Sequence, residues 1–169
     1  MIWLVLGGAV GVWREMSEAY AMLATPPRII AVNDAGVSAP RLDAWATLHN
    51  EKFHQWMNQR EAKDYKAFSI TNNGPWTQVR DKWAGSSGLY AVQIALQELG
   101  ASGVILCGCP LNASARHFFD KNNDWSEADV YRKGFRAAFP VICDKVRSMS
   151  GWTQELLGAP NSQWLTDRA

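Results

Sequence analysis

The chain has few cysteines, no long hydrophobic run and little net charge, and each of these absences excludes a class of protein. Three cysteines among 169 residues are an odd number, unsuited to a disulfide framework. A reducing, cytoplasmic compartment is therefore expected. No window approaches the roughly 20 consecutive apolar residues of a membrane span. The formal net charge is only +1 and the basic residues are scattered, which argues against nucleic acid as a partner.

Metal-binding motifs are also lacking. Cys107 and Cys109 flank a glycine, but no second pair of cysteine or histidine residues stands at zinc-binding spacing from them. His49 and His54 are five residues apart, which is not the four-residue spacing of a helical metal pair. No metal site is predicted from these residues.

Tryptophan, by contrast, is abundant, with nine residues in the chain. Trp3 and Trp45 lie in strand-like patterns and are predicted to fill the core. Trp76, Trp83 and Trp125 lie in polar stretches, and two interpretations of them stay open. They are either core filler or aromatic surfaces on which sugars or bases stack.

Short apolar runs alternate with segments of helical periodicity along the chain. The runs IWLVLGG, RIIAVND, LDAWATLHN, YKAFSI and SGVILCG are typical of strands buried on both faces of a parallel sheet. Helices are predicted for GVWREMSEAYAML, EKFHQWMNQRE, GLYAVQIALQELG and VYRKGFRAAFPVICDKV, the last with Pro140 at a kink or boundary. Residues 71–85 are predicted to be a loop. The pattern predicts one α/β domain over residues 1–169, a sandwich with a mainly parallel sheet of about five to six strands flanked by helices.

Ligands of such sheets bind outside the carboxyl ends of the strands. Most of the predicted strand ends carry glycine or side chains that can hydrogen-bond a ligand. These ends are Gly7-Gly8, Asn33-Asp34, His49-Asn50, Ser69 with the following loop, and Gly108-Cys109.

Two glycine-containing turns are candidate phosphate sites. Gly7 and Gly8 follow the first strand, where backbone N–H groups and a helix N-terminus favour an anion. A tight turn that needs glycine only for close packing is the equal alternative. In the second turn, the hydroxyls of Ser86 and Ser87 precede Gly88 at the start of a helix. A helix cap needs one serine rather than a glycine-flanked pair, so this turn is predicted to be functional. The spacing of a hydrolase nucleophile elbow is absent.

Polar residues at other strand ends and in loops complete the candidates. Asn33 and Asp34 are predicted either to bind a sugar or base or to form a turn. His49 is predicted to line the cleft. His117 lies in a long polar connection, as a general base or as an exposed loop residue.

The order of these elements resembles a known group of enzymes. An apolar strand ending in glycines is followed by a strand ending in Asn, by Ser-Ser-Gly opening a helix, and by LGASGVILCG. This resembles the Rossmann-like small bacterial sialyltransferases that use CMP-sialic acid, and equally the 6-hydroxymethyl-dihydropterin diphosphokinase-like proteins. The close match covers residues 85–109 and a looser one covers residues 1–50. The chain departs from both in carrying Cys109-Pro110 after Gly108, and Leu111-Asn112 where donor-binding tyrosines are expected.

The resemblance implies roles for particular residues. The nucleotide contacts would come from both glycine turns and the strand ends, with His49 facing the nucleotide sugar and His117 as the catalytic histidine. The residues assigned to the nucleotide on these grounds are Gly7, Gly8, Asn33, His49, Ser86, Ser87, Gly88 and Gly108. Arg80 or Arg116 is expected to balance phosphate charge, because the guanidinium fork matches phosphate oxygens.

The leading hypothesis is thus a Rossmann-like transferase, glycosyltransferase-like, that binds a nucleotide or nucleotide-sugar donor. A second hypothesis is a non-catalytic binding or assembly module on the same fold, with a homo-oligomer as one form of assembly. It predicts an exposed aromatic patch that contains some of Trp76, Trp83, Trp125 and Trp164. A third is a diphosphokinase of the pterin type, which would require Mg²⁺ held by carboxylates. Asp34, Asp120 and Asp124 are the available carboxylates.

Overall fold

The computed structural model describes residues 1–80, 83, 85–118 and 127–168. Seven parallel strands form one sheet in the order β5-β4-β3-β2-β1-β6-β7. The strands are β1 (Ile2–Leu6), β2 (Arg28–Val32), β3 (Ala44–Thr47), β4 (Lys66–Ser69), β5 (Thr77–Gln78), β6 (Gly103–Cys107) and β7 (Val146–Ser148). The predicted α/β class is confirmed, with seven strands in place of five to six.

Seven helices are found in the described residues, and they cover both faces of the sheet. They are α1 (Val12–Met22), α2 (Ala35–Ser38), α3 (Asn50–Gln59), α4 (Ser87–Gln97), α5 (Ala128–Ile142), α6 (Gly151–Leu157) and α7 (Ser162–Arg168). Alternate residues of a strand point to opposite faces of a sheet. In β1, Trp3 and Val5 join the core beneath α4 and α5, whereas Ile2, Leu4 and Leu6 join the core beneath α1, α2 and α3.

Both strands that the sequence patterns missed are short and lie on the outer side of a longer strand. Thr77 and Gln78 form β5 inside the stretch predicted to be a loop, and they pair with the end of β4. Val146 belongs to β7, although the periodicity extended the preceding helix that far. That helix, α5, ends at Ile142, and Pro140 lies within its last turn. Strands of two and three residues leave too short a pattern to detect.

The strand order reverses beside β1. The chain adds β2 to β5 successively on one side of β1, then returns through α4 and places β6 on the other side. In doubly wound sheets the crevice at such a reversal, outside the carboxyl ends of the strands, is the place where ligands bind. A ligand site is therefore expected at the turns that follow β1, β2 and β6.

Candidate functional site

A cavity of about 340 Å³ lies at this reversal point, over the carboxyl ends of β1, β2 and β6. Its volume is in the range of ligand-binding pockets, about 300–1,000 Å³. The wall contains eight of the residues that the sequence predicted as site residues, contributed by five separate segments of the chain. These eight are Gly7, Gly8, Asn33, His49, Ser86, Ser87, Gly88 and His117.

The turn after β1 leaves no room for side chains. A Cβ atom on Gly7 would lie 2.5 Å from the Cys109 sulfur and would also collide with the Gly108 carbonyl oxygen. The Gly7 N–H donates to the Cys107 carbonyl at 2.8 Å, which holds this turn against the end of β6. Close packing therefore accounts for Gly7, and Gly8 is the glycine next to the cavity's polar side chains.

His117 is held directly above Gly8. A Cβ atom on Gly8 would lie 2.8 Å from the His117 Nδ1 atom. The histidine is placed there by backbone pairing, because Ala9 and His117 form an antiparallel bridge. In this bridge the Val10 N–H donates to the Arg116 carbonyl, and the Phe118 N–H donates to the Gly8 carbonyl, both at 2.9 Å. The imidazole thus occupies the space that the missing side chain of Gly8 leaves.

Asn33 is oriented by a chain of hydrogen bonds between the ends of β2 and β3. Its backbone adopts a φ of 53°, which asparagine tolerates better than most residues. The Thr47 hydroxyl donates to Asn33 Oδ1 at 2.7 Å and accepts the His49 N–H at 2.8 Å. Because Oδ1 already accepts from Thr47, the amide nitrogen of Asn33 is the atom that can donate to a ligand.

The N-terminus of α4 supplies hydroxyl groups to the same cavity. Ser86 is the N-cap residue, and its Oγ accepts the Leu89 N–H at 3.3 Å. Ser87 is 6% exposed, and its Oγ accepts the Leu48 N–H at 3.2 Å, which ties α4 to the end of β3. The helix cap is confirmed at this turn, whereas its predicted role in binding a ligand stays a prediction. Ser86 caps the helix, while the Ser87 hydroxyl hydrogen remains for a further acceptor at a helix N-terminus, where an anion is favoured.

Asp34 is the carboxylate in this part of the wall, and burial raises its pKa to about 6 from the ordinary 3.8. Hydrogen bonds from the backbone N–H groups of Asp34 and Ala35, together with the charge of Lys52, act in the opposite direction but do not cancel the effect of burial. Its Oδ1 lies 4.0 Å from the position of a Cβ on Gly8. Asp34 and His117 therefore flank the same point above Gly8.

The pKa of Asp34 leads to a testable pH dependence. An aspartate whose pKa is raised by folding is protonated in the folded chain where the unfolded chain is ionised, so stability falls as pH rises from about 4 to about 6. We expect Asp34→Asn to remove this loss and to raise the free energy of unfolding by about 1–2 kcal/mol at about pH 7.5, after discounting for partial exposure. At about pH 4 the gain should be absent. Urea unfolding across this pH range measures it.

Asp43 provides a control of opposite sign. Burial acts to raise the pKa of Asp43, but hydrogen bonds from Arg28 and the Ile29 N–H, with the charge of Arg41, outweigh burial and lower it. An aspartate with a lowered pKa stabilises the fold above its unfolded pKa and loses that contribution as pH falls. Asp43→Asn should therefore destabilise the protein at neutral pH and have little effect in acid. If the effect of Asp34→Asn on stability did not change with pH, the raised pKa of Asp34 would be contradicted.

Three predicted site residues do not line the cavity. Gly108 instead supports α1: its N–H donates to Glu15 Oε2 at 2.7 Å, and a Cβ on it would lie 2.6 Å from the Cβ of Val12. Arg80 follows β5 at the outer edge of the sheet and lines a separate depression beside α4. Arg116 is exposed. Because neighbouring residues of an extended segment point to opposite sides, Arg116 faces away when His117 faces Gly8.

Several functional candidates were missed by the sequence patterns. Lys52 and Trp56 line the cavity from α3, and Tyr131 of α5 and Glu127, the N-cap residue of α5, line it as well. A signal for the first two was present, because His49, Lys52 and Trp56 recur at intervals of three and four residues, which is one face of a helix. Among the described residues of the cavity wall, the positively charged side chain is Lys52, and neither Arg80 nor Arg116 takes that place.

The predicted aromatic patch does not form from the described tryptophans. Trp164 is 5% exposed, and Trp83 packs against the core. Trp76 stacks on Phe53 at 5.0 Å between ring centroids, and its Nε1–H donates to the Thr71 carbonyl. Trp125 lies outside the described residues.

The carboxylates proposed for Mg²⁺ are only partly described. Asp34 lies in the cavity, while Asp120 and Asp124 fall outside the described residues. Within the described part of the chain, no group of three or more histidine, cysteine, aspartate or glutamate side chains is arranged to hold a metal ion. The requirement for Mg²⁺ stays a prediction of the diphosphokinase hypothesis.

Comparisons with protein-family models, with curated proteins and with solved structures give no match for this chain. Across the described residues, no helix combines the length and apolar character needed to cross a membrane. The function is therefore inferred from the cavity and the residues that line it.

Proposed function

We propose that this protein is a transferase that binds a nucleotide, or a nucleotide-activated sugar, in the cavity at the carboxyl edge of the sheet. The observation that carries the proposal is the convergence of two glycine-containing turns and a histidine at the reversal point of the strand order. Gly7-Gly8 and Ser86-Gly88 are far apart in sequence but line one cavity with His117. Cavities of this kind in doubly wound sheets bind nucleotides.

The residues of the cavity have separate tasks in this proposal. The N-terminus of α4, with the Ser87 hydroxyl, receives the donor phosphate, and Lys52 adds a positive charge. The Asn33 amide nitrogen donates to the sugar or base, and His49 lies beside it at the start of α3. The side chains of Asn33 and Ser87 are already oriented by hydrogen bonds with Thr47 and with the Leu48 N–H at the end of β3. Preorganised donors stabilise the negative charge that develops on a departing phosphate.

The transfer step then follows from the position of His117. An acceptor hydroxyl oxygen attacks the anomeric carbon of the donor sugar, and the hydroxyl proton passes to the His117 imidazole. The bond between the sugar and the phosphate breaks, and its electron pair leaves on the phosphate oxygen at the N-terminus of α4. Asp34, on the other side of Gly8, is a second ionisable side chain near the reacting atoms, and burial raises its pKa to about 6.

A thermal-shift panel tests the nucleotide. The ligands are CMP, CDP, UDP, ATP, GTP and CMP-sialic acid, each with and without Mg²⁺. A ligand that binds only the folded state raises the melting temperature by mass action, so one nucleotide is expected to give a clear shift. A shift that depends on Mg²⁺ would favour diphosphate transfer over glycosyl transfer. If none of these ligands gives a shift, the proposal fails and the non-catalytic module is favoured.

Ser87→Ala locates the site of binding. A hydrogen bond to a charged group contributes about 1.5–3 kcal/mol, so we expect nucleotide affinity to fall about 10- to 150-fold. The fold loses one neutral hydrogen bond, that of the Leu48 N–H, which costs about 1 kcal/mol. Isothermal titration calorimetry and urea unfolding measure the two losses separately.

Ser148→Ala is the matched control. Ser148 is 1% exposed, its hydroxyl lies 2.8 Å from the Thr153 hydroxyl, and it is not in the cavity wall. This variant should lose stability to a similar extent while keeping nucleotide affinity. Equal losses of affinity and stability in Ser87→Ala, or equal affinities in the two variants, would reject the site.

A further inference from the structure

α3 presents two different faces, one to the core and one to the cavity. Phe53 is fully buried and contacts Trp45 edge-on, with ring centroids 5.4 Å apart. His49, Lys52 and Trp56 all line the cavity. Residues three and four apart lie on the same side of a helix, so these three side chains form one row. The row continues from the Ser87 turn, because the Leu48 N–H, next to His49, donates to the Ser87 hydroxyl.

Trp56 differs from the other described tryptophans in its surroundings. It is half-buried, and among the described tryptophans it is the one that lines the cavity. The remaining described tryptophans pack within the protein, against aromatic rings, arginines or the two cores. They are Trp3, Trp13, Trp45, Trp76, Trp83, Trp152 and Trp164. Trp56 also packs against the core beneath α3, but within the described chain no other aromatic ring or cation stacks on it.

Lys52 lies one helical turn before Trp56, on the side towards the Ser87 turn. Its positive charge acts to lower the pKa of the Asp34 carboxyl, although the effect of burial is larger. The row therefore begins with a charged group beside the proposed phosphate position and continues to an aromatic ring. A nucleotide has the same order of chemical groups, with a phosphate and a base separated by one sugar ring.

We propose that Trp56 is the surface on which the base of the nucleotide stacks, and that Lys52 holds its phosphate. This inference rests on the proposed function and specifies how the ligand lies in the cavity. Stacking accepts any base, because every base has a π-face. The row on α3 would therefore favour a nucleotide over a sugar phosphate that lacks a base, but it would not distinguish one base from another. Base identity is then left to hydrogen-bond donors such as the Asn33 amide.

Probes that lack one group or the other test this arrangement. Isothermal titration calorimetry is carried out with the 5′-monophosphates of cytidine, uridine, adenosine and guanosine, with the matching nucleosides, and with ribose 5-phosphate. Loss of stacking costs about 1–3 kcal/mol per base, so Trp56→Leu should weaken nucleotides and nucleosides about 5- to 150-fold and leave ribose 5-phosphate unchanged. Lys52→Met should weaken nucleotides and ribose 5-phosphate and leave nucleosides unchanged. Trp56→Phe retains a ring and should recover most of the affinity.

Trp152→Leu controls for the loss of a half-buried tryptophan, since Trp152 packs beside Arg132 and Arg136 away from the cavity wall. It should leave all affinities unchanged. The inference is wrong if Trp56→Leu binds nucleotides as the wild type does, or if it weakens ribose 5-phosphate equally, which would indicate contact with the sugar. In either case, nucleotide binding by the wild type would leave the proposed function intact. If the wild type binds none of these probes, this inference fails, and the proposed function is then decided by the thermal-shift panel, which also contains nucleoside diphosphates, triphosphates and CMP-sialic acid.

Discussion

Gly36→Ala is expected to lower the free energy of unfolding by about 3 kcal/mol, the upper end of the usual cost of overpacking a core. A Cβ atom on Gly36 would collide with several atoms of the Trp45 indole. Trp45 cannot move aside easily, because it is fully buried and contacts the rings of Phe53 and Tyr65 at 5.4 and 5.3 Å. Urea unfolding at constant m-value measures the loss.

The same substitution should also disturb the cavity. The Trp45 Nε1–H donates to the Asn33 carbonyl at 2.6 Å, and the Gly36 N–H donates to the same oxygen at 3.2 Å. A displaced indole would release one of the two hydrogen bonds that the Asn33 carbonyl accepts. We therefore expect weaker nucleotide binding at temperatures where Gly36→Ala is still folded.

Gly88→Ala is the control for adding a methyl group to a glycine. A Cβ atom there would make only ordinary contacts, 3.5 Å from Ser86 Oγ and 3.6 Å from the Cys109 sulfur. Since alanine favours a helix over glycine by about 1 kcal/mol, this variant should be as stable as the wild type or more so. A cost below about 1 kcal/mol for Gly36→Ala would show that Trp45 has room to move.

Gly8→Ala is expected to displace the His117 imidazole and to lower the rate of the proposed transfer about 100-fold, the effect of an error of about 1 Å in the position of a catalytic group. The Gly8 backbone does not have a positive φ, so alanine is not excluded by its conformation. The clash with His117 Nδ1 is therefore the main cost, and the free energy of unfolding should fall by about 1–2 kcal/mol.

A double-mutant cycle with His117→Ala isolates that contact. The backbone bridge between Ala9 and residue 117 does not depend on the imidazole, so His117→Ala should keep the segment in place. In that background Gly8→Ala should cost less than about 0.5 kcal/mol, because the space above Gly8 is then empty. Equal costs in both backgrounds would mean that His117 does not lie over Gly8. The histidine Cε1 proton resonance in NMR spectra reports the displacement directly.

The residues that line the cavity come from both faces of the sheet. Ser87 and Tyr131 come from helices on one face, and Asp34 and Lys52 come from the other. Only the reversal of strand order beside β1 brings both sets to a common edge. A ligand held there would contact both layers, and a ligand that binds only the folded state stabilises it against unfolding by mass action.

Much of the architecture could be predicted from local pattern. The continuous apolar runs indicated strands buried on both faces, and β1, β2, β3, β4 and β6 lie where they were predicted. Glycine, asparagine and serine at the strand and helix ends indicated the turns that line the cavity. These signals are local, because burial and periodicity are recorded in consecutive residues.

The remaining features depended on contacts between distant segments. β5 and β7 are defined by pairing with β4 and β6 rather than by their own two or three residues. Arg116 is excluded from the cavity by the alternation of side chains in a bridge with Ala9, and Arg80 by the edge position of β5. Lys52 and Trp56 line the cavity because α3 packs through Phe53 against Trp45 of β3. The sequence by itself determined the strands and the turns that contain the candidate residues. Which of these residues contact one another was decided by the order of the strands in the sheet, because that order sets which distant segments become neighbours.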